Sequence, residues 1–164
     1  MAAFDKISYK IVDGMVLRGI LRIWRSSEST IVFTNGCFDL LHLGHLKCLA
    51  AAKDLGDKLI VGLNSDASVK RLKGEERPIK DEKTRAFLLA SLEYVDGVVI
   101  FEEDTPLQLI ETIQPDVLVK GGDWPVENIV GADIVFAKGG IVKSLDFGIS
   151  ASTSNFVDKI KTEL

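Results

Sequence analysis

Short runs of aliphatic residues recur along the chain, and the segments between them carry apolar residues at helical spacing. Unbroken apolar runs of this length are typical of strands that are buried on both faces of a parallel sheet. We therefore predict a strand at each run, and a glycine loop follows the fourth. The predicted strands lie within residues 31–33, 58–64, 97–101, 116–124, 132–140 and 141–147.

Helices are predicted where apolar residues recur every three or four positions. Asp13 and Asp81 stand where an N-cap is expected, and Thr105 is a cap followed by a proline at the first helical position. The charged segment 68–80, which a glycine and a proline interrupt, is predicted to be a mobile loop. The predicted helices occupy residues 15–24, 44–56, 81–95, 105–115 and 152–164.

Strands and helices therefore alternate along the chain, which predicts an α/β fold: a Rossmann-like, doubly wound parallel sheet in a single domain. We divide the 164 residues into an N-terminal helical extension, 1–30, and a main domain, 31–164. In such sheets, ligands bind beyond the carboxyl ends of the strands, where the strand order reverses. The polar segments that follow the strands are expected to meet at this rim.

Charge and composition exclude several classes of partner. The net charge is −4, so we expect neither a nucleic-acid nor a membrane partner, and any bound anion must be held by a local cluster of donors. No apolar stretch resembles a signal peptide or is long enough to span a bilayer. The two cysteines, Cys37 and Cys48, do not form the pattern of a disulfide framework. We expect a cytoplasmic protein.

Candidate chemistry concentrates in TNGCFDLLHLGHLKCL, residues 34–49, which contains both histidines of the chain. His42 and His45 stand three residues apart at a predicted strand-to-helix junction, so both rings can lie on one helical face. The N–H groups and the dipole at a helix start favour an anion. Gly44 lets a phosphate approach the backbone. The segment therefore predicts a polyphosphate-binding site.

Three other interpretations of this segment stay open. One imidazole could be a structural group that is satisfied by a hydrogen bond. Cys37 could be a nucleophile that His42 activates, although no third, orienting partner is evident. Four residues of the types that bind zinc form a C-x4-H-x2-H-x2-C array, although it lacks the usual Cys-x2-Cys pair: Cys37, His42, His45 and Cys48.

Five stretches carry a resemblance to a known family: FTNGCFDLLHLGHLKCL, VGLNSDASVKRLKGEERPI, FEEDTPLQLI, PDVLVKGGDW and STSNFVDKI. On these motifs the chain resembles the HxGH nucleotidyltransferase (cytidylyltransferase-like) superfamily over roughly residues 31–161. LVKGGDW and LKGEERPI are similar to the adenylyltransferases that act on D-glycero-β-D-manno-heptose 1-phosphate. Glycerol- and ethanolamine-phosphate cytidylyltransferases are similar around the histidines but diverge in those two stretches.

The resemblance implies transfer of AMP from ATP to heptose 1-phosphate, which gives ADP-heptose and pyrophosphate for lipopolysaccharide or another surface glycan. The attacking phosphate is already an anion, so no general base is required, and none is evident in the sequence. Mg²⁺ is expected with ATP, and the relatives suggest a homodimer. A sugar-kinase step is expected on another chain. The alternative is a cytidylyltransferase that uses CTP and glycerol 3-phosphate or a similar alcohol phosphate.

The resemblance also implies roles for individual residues, but no direct protein ligand for the metal is assigned beyond Asp123 as a candidate. The residues expected to act on the reacting phosphates are His42, His45, Lys73 and Lys120. Besides the histidines, the residues expected to contact the nucleotide are Thr34, Asn35, Gly36, Cys37, Phe38, Gly44, Asn64, Asp66, Arg85, Gly121, Asp123, Trp124, Ser152, Thr153 and Ser154.

Several of these assignments have structural alternatives. Arg85 is either a two-pronged phosphate ligand or an exposed helix residue. Lys73 either closes over the substrates or belongs to a solvated charge run. Trp124 either stacks on the base or packs, and Asp66 could cap a helix. Asp39 is expected to brace the turn rather than to bind a ligand.

The chain departs from the family pattern at two positions. The heptose enzymes typically carry Ser-Thr-Thr where this chain has Ser152, Thr153 and Ser154, and the hydroxyl that remains can still contact phosphate. Tyrosine is common in the relatives where this chain has Trp124. The preference for sugar or base is therefore left open by the sequence.

Overall fold

The computed structural model describes residues 2–146, and a parallel sheet of five strands lies at its centre. The strands are β1 (Ile31–Gly36), β2 (Lys58–Asn64), β3 (Gly97–Phe101), β4 (Val117–Gly121) and β5 (Ile141–Leu145). Their spatial order is β3-β2-β1-β4-β5, so the chain builds outward from β1 to β3 and then returns to the other side of β1. This topology confirms the predicted doubly wound α/β fold, with the reversal between β1 and β4.

Helices cover both faces of the sheet. Those of the described residues are α1 (Ala3–Ser8), α2 (Gly14–Ser26), α3 (Leu43–Lys53), α4 (Asp66–Lys73), α5 (Glu82–Ala90), α6 (Leu107–Ile113) and α7 (Ala132–Ala137), with a 3₁₀ turn at Val126–Asn128. Helices α2, α6 and α7 pack on one face of the sheet, and α3 and α5 pack on the other. Because both faces are covered, the strands are apolar at successive positions rather than at alternate ones.

Local capping follows the sequence at two of the predicted helix starts. The Asp13 carboxylate accepts hydrogen bonds from the N–H groups of Met15 and Val16, at 3.1 and 3.0 Å. Asp81 accepts one from the Thr84 N–H at 2.8 Å. Both predicted N-caps are confirmed, and each satisfies donors that the first turn leaves free.

Two segments differ from their predicted secondary structure. Half of the predicted loop 68–80 is helical: α4 extends to Lys73, because Ser65 caps its start and Val69 is fully buried. The predicted strand over 132–140 is instead the helix α7, in which Ala132 and Val135, three positions apart, are both buried. The short apolar run in this segment led to the wrong prediction, because periodicity cannot distinguish a strand from a short buried helix.

Helix ends differ by smaller amounts. Helices α3 and α5 end earlier than predicted, at Lys53 and Ala90. Helix α6 begins at Leu107, so Pro106 rather than Thr105 is its N-cap, and Pro106 is not its first residue as predicted. The helix predicted over 152–164 lies outside the described residues.

The N-terminal segment packs on the domain and contributes to its core. Leu17 and Leu21 of α2 are nearly fully buried, and the ring of Phe4 in α1 stacks on Phe87 of α5 at 4.8 Å between centroids. Just before α2, the chain runs beside β3: the Val12 N–H donates to the Val98 carbonyl at 3.0 Å. The division of the chain at residue 30 stays a prediction.

A crevice opens where the strand order reverses. Pairing between β1 and β4 stops at Thr34 and Val119, whereas pairing between β1 and β2 continues to Gly36 and Leu63. The two central strands therefore separate at their carboxyl ends, which is the position expected for a ligand site. Over residues 2–146, no helix has both the length and the apolar character required to cross a lipid bilayer.

Candidate active site

A cleft of about 290 Å³ occupies the crevice between the ends of β1 and β4. Its volume is close to the lower end of the roughly 300 to 1,000 Å³ that is typical of small-molecule sites. Eleven of the residues predicted to contact phosphate or nucleotide line it: Thr34, Asn35, Gly36, Cys37, Phe38, His42, Gly44, His45, Lys73, Lys120 and Gly121. The fold thus brings together groups that are distant in sequence, as the strand-end rule predicts.

The two histidines form a stacked pair at the wall of the cleft. The ring centroids of His42 and His45 are 3.8 Å apart, with 28° between the ring planes. The Phe38 ring contacts His45 at 5.1 Å between centroids and a 59° tilt. A Cβ at Gly36 would lie only 3.0 Å from the Phe38 ring, so a larger residue there would press on the ring that contacts His45.

The environment of the pair lowers the pKa of both imidazoles. Burial lowers the pKa of His42. The pKa of His45 falls from 6.5 to about 4, chiefly through burial and then through the charges of His42 and Lys73, while a hydrogen bond with the Leu40 backbone raises it. Both rings are therefore neutral at pH 7 in the free protein. A phosphate in the cleft would raise these pKa values, because an anion favours the protonated imidazole.

The histidines lie at the start of an 11-residue helix. His42 is the N-cap residue of α3, but its side chain makes no capping hydrogen bond to the first turn. The first N–H groups of a helix need a partner and carry the positive end of the helix dipole. Backbone donors and two imidazoles therefore point to the same place, an arrangement that favours a phosphate.

Two lysines reach the cleft from other elements. Lys120 lies near the end of β4, where burial lowers the pKa of its amine while Cys37 and Cys48 raise it. Lys73 is the last residue of α4 and is exposed. These lysines and the histidines thus supply donors from three sides of one cavity.

Two residues after β4 are not part of the cleft wall. Asp123 and Trp124 are exposed, and neither lines the cavity. The Trp124 N–H donates to the Ser144 hydroxyl at 2.9 Å, and the Lys120 amine lies 6.0 Å from the centroid of the Trp124 ring. Their predicted contacts with base, ribose or metal stay predictions.

Arg85 corrects a prediction, because its side chain is fully buried and points away from solvent. Its Nε donates to the Lys80 carbonyl at 2.9 Å, and its Nη1 donates to the Cys37 and Asn64 carbonyls at 2.7 and 2.8 Å. Its Nη2 pairs with Asp66 at 2.6 Å. The guanidinium is thus neither a phosphate ligand at the cleft nor an exposed helix residue; it braces the backbone behind the site.

Asn64 and Asp66 belong to the same brace. The Asn64 amide is buried and donates to the Ser68 hydroxyl at 3.0 Å. Asp66 pairs with Arg85, and Ser65 rather than Asp66 caps α4. Neither residue lines the cleft, so their predicted contact with the nucleotide is not supported by their positions.

No metal centre is formed by the described side chains. Within residues 2–146, no three His, Cys, Asp or Glu side chains converge on a common metal position. The zinc alternative for Cys37, His42, His45 and Cys48 is therefore wrong, although all four lie near the cleft.

Sequence reasoning missed several residues of the cleft wall: Asp39, Cys48, Leu49, Leu145 and Asp146. Cys48 and Leu49 follow His45 by three and four positions, so helical spacing could have found them. Leu145 and Asp146 required the knowledge that β5 neighbours β4. Asp39 is buried and accepts three hydrogen bonds, as expected for a residue that braces the turn. Ser152, Thr153 and Ser154 lie outside the described residues.

Comparisons with known proteins agree with this geometry. Bifunctional protein HldE of Geobacter metallireducens is 57% identical over 151 residues, which are 92% of this chain but 30% of that protein. The chain thus spans about a third of the length of the curated relatives it matches. The crystal structure of the lipopolysaccharide core biosynthesis protein from Thermoplasma volcanium is 31% identical, with a TM-score of 0.58 over 72% of this chain and 95% of that one.

A more distant structure shares the fold alone. Pantoate-beta-alanine ligase from Francisella tularensis is 16% identical, with a TM-score of 0.57 over 88% of this chain and 68% of that one. The cytidylyltransferase-like family model matches residues 33–141, which contain the stacked histidines, most of β1 and all of β2, β3 and β4. As its HxGH segment predicts, the chain belongs to the cytidylyltransferase-like family.

Proposed function

We propose that this chain transfers AMP from ATP to D-glycero-β-D-manno-heptose 1-phosphate, with ADP-heptose and pyrophosphate as products. The observation that carries the proposal is the convergence of His42, His45, Lys73 and Lys120 on one cleft at the reversal of the strand order. The matches to Bifunctional protein HldE and to a lipopolysaccharide core biosynthesis protein support the sugar substrate.

The reaction follows from the donors in the cleft. An oxygen of the sugar phosphate forms a bond to the α-phosphorus of ATP, and the bond from that phosphorus to the bridging oxygen of the β-phosphate breaks. Pyrophosphate leaves with the bonding electrons, so negative charge grows on the leaving group. Positioned donors in a partly buried site stabilise such charge with little reorganisation.

The residues divide this work between them. The start of α3 and the two imidazoles hold the phosphates of ATP, and the bound anion favours the protonated form of each ring. Lys120 contacts phosphate from β4, and Lys73 approaches from α4 across the cleft. No residue is needed to remove a proton from the nucleophile, because a phosphate monoester is already ionised at neutral pH.

Further substrates and partners follow from the same proposal. Mg²⁺ arrives with ATP as part of the substrate and is held mainly by phosphate oxygens and water. Ser152, Thr153 and Ser154 contribute hydroxyl groups to the same phosphates. The protein works in the cytoplasm as a homodimer, without a nucleic-acid or membrane partner.

The test is an assay of pyrophosphate release with each nucleotide in turn. Purified protein is incubated with ATP or CTP, Mg²⁺ and either heptose 1-phosphate or glycerol 3-phosphate, and ³¹P NMR identifies the product. We expect release only with ATP and the heptose substrate. Release only with CTP and an alcohol phosphate would establish the cytidylyltransferase alternative, and no release with any pair would refute both. His42→Ala, purified in parallel, controls for contaminating host enzymes.

A further inference from the structure

A buried ion pair lies at the edge of the cleft and has no part in the proposed chemistry. The Arg77 Nε donates to Asp39 Oδ2 at 2.7 Å, the Asp39 side chain is fully buried, and that of Arg77 is 12% exposed. Asp39 Oδ1 also accepts the backbone N–H groups of Ile79 and Lys80, at 2.8 and 3.2 Å. Three hydrogen bonds therefore tie the segment 77–80 to the loop between β1 and α3.

Arg85 ties the same two segments together a second time. Its Nε donates to the Lys80 carbonyl, and its Nη1 donates to the Cys37 carbonyl. Residues 77–80 thus meet residues 37–39 through two cations, Arg77 and Arg85, and one buried anion, Asp39. Such networks fix a geometry because a buried charge that loses its partner is strongly destabilising.

The two tied segments lead directly to groups in the cleft. Asp39 precedes His42 by three residues and itself lines the cavity. On the other side, the segment that Asp39 holds follows Lys73 at the end of α4, with only residues 74–76 between Lys73 and Arg77. Gly74 has a φ of +98°, so the chain turns sharply there and its course depends on what holds residues 77–80.

We propose that Asp39 and Arg77 are positioning residues: their ion pair fixes the segment after α4 and thereby holds Lys73 at a set place opposite the two histidines. Both carboxylate oxygens of Asp39 are engaged by Arg77 and by backbone N–H groups, so neither residue is assigned a contact with substrate. The proposal rests on the proposed function only in that it treats Lys73 as a phosphate ligand. Because misplacing a catalytic group by about 1 Å can cost about 10²-fold in rate, loss of the ion pair should lower kcat by about 10- to 100-fold.

The placement of Lys73 can be measured without any substrate, because the chain contains only two histidines and both lie in the cleft. The positive charge of Lys73 is one of the causes that lower the pKa of His45. Histidine NMR titrations of wild type, Lys73→Gln, Arg77→Gln and the double variant therefore report where Lys73 stands. We expect each single change to raise the pKa of His45, and the double variant to match Lys73→Gln alone.

The double variant separates positioning from direct electrostatics. If Arg77 acted on His45 through its own charge, the two shifts would add, and that result would overturn the proposal. An unchanged His45 pKa in Arg77→Gln would overturn it as well. Arg71→Gln is the matched control: Arg71 lies on the same α4 in an exposed ion pair with Asp104 at 2.7 Å, and its loss should leave the His45 pKa unchanged.

Folding and activity are followed in parallel. Should Arg77→Gln fail to fold, Arg77→Lys keeps a charge in the buried position and should shift the His45 pKa in the same direction by a smaller amount; no shift in that folded variant counts against positioning. In the transferase assay we expect kcat to fall in Arg77→Gln and Asp39→Asn with a smaller change in the KM for ATP. If the NMR result holds while wild type shows no activity, the positioning stands and the proposed function fails.

Discussion

Strands β1 and β4 border the same cleft, but their carboxyl ends are held in different ways. Behind β1, buried charges fix the backbone: Asp39 accepts three hydrogen bonds, and Arg85 donates to carbonyl groups on three sides. On the β4 side, Lys120 is only half-buried, and Asp123 and Trp124, which follow the strand, are exposed. The β1 side of the cleft is therefore held by buried charges, whereas the β4 side is more open to solvent.

This difference separates two tasks in space. Donors that stabilise charge in a transition state act best when they are already in place, because no free energy is then spent on moving them. Side chains that distinguish one sugar or base from another can adapt as the ligand arrives. The β1 side, with Asp39 and Arg85, forms a rigid corner that suits the reaction common to the family. The β4 side, with Lys120, Asp123 and Trp124, forms an open corner that suits the choice of substrate.

The largest effect is expected when Arg85, which holds the backbone behind β1, is replaced. Arg85→Met should lower the free energy of unfolding by about 3–5 kcal/mol, because buried carbonyls and Asp66 lose their donor. Urea denaturation measures the change, with the m value checked for altered cooperativity.

Arg71→Met is the control for this experiment. Its ion pair with Asp104 has side chains that are 49% and 64% exposed, so we expect a loss of about 0–1 kcal/mol. Equal losses in the two variants would show that the β1 corner is no more rigid than the surface.

Next in size is the loss of an imidazole from the rigid corner. His45→Ala should lower kcat by about 10²–10³-fold, the range found when one preorganised donor to a transition state is removed. His45→Gln keeps an N–H donor and should lose less. Steady-state kinetics with ATP as the varied substrate measures both, and a change confined to KM would place His45 in ground-state binding instead.

A smaller effect appears in the pH dependence of stability. His45 titrates near 4 when folded and near 6.5 when unfolded, so between these values the unfolded chain binds more protons. The stability contributed by neutral His45 is complete above about pH 6.5 and is lost as the pH falls towards about 4. Urea midpoints across this window should decline more steeply for wild type than for His45→Gln; parallel curves would show that the ring is not held neutral.

The smallest change is expected at the open corner. Trp124→Phe removes the indole that the Lys120 amine approaches at 6.0 Å, an exposed contact worth about 0.5–1 kcal/mol. The KM for ATP should therefore change by less than about fivefold, with kcat and stability unaffected. A loss as large as that of His45→Ala would mean that the β4 side also belongs to the fixed machinery.

The fold could be predicted where local pattern determines structure. Strands β1 and β2 contain the apolar runs IVF and LIVGL, and burial on both faces is what such runs require. Helix α7 escaped prediction, since ADIVFA is a short, mainly apolar segment whose buried positions, Ala132 and Val135, become evident only once it packs in the fold. Length and pattern cannot separate the two in so short a segment.

The residues at the site also differ in whether local pattern could predict their positions. His42, His45 and Lys120 could be predicted because strand ends and helix starts are local features with known chemistry. Arg85 could not, since its partner Cys37 lies 48 positions earlier and arginine is normally exposed. Its burial depends on long-range closure that no local pattern records.

The edge of the sheet at β3 is covered by residues from the N-terminal segment. The residues just before α2 already occupy the hydrogen-bonding positions beside β3: Val12 donates to the Val98 carbonyl, and the Val98 N–H donates to the Lys10 carbonyl at 2.7 Å. Bare strand edges invite pairing with other molecules and so promote aggregation. Here the segment before α2 occupies the edge of β3. A truncated protein that begins after Val12 would expose this edge and would be expected to aggregate through it.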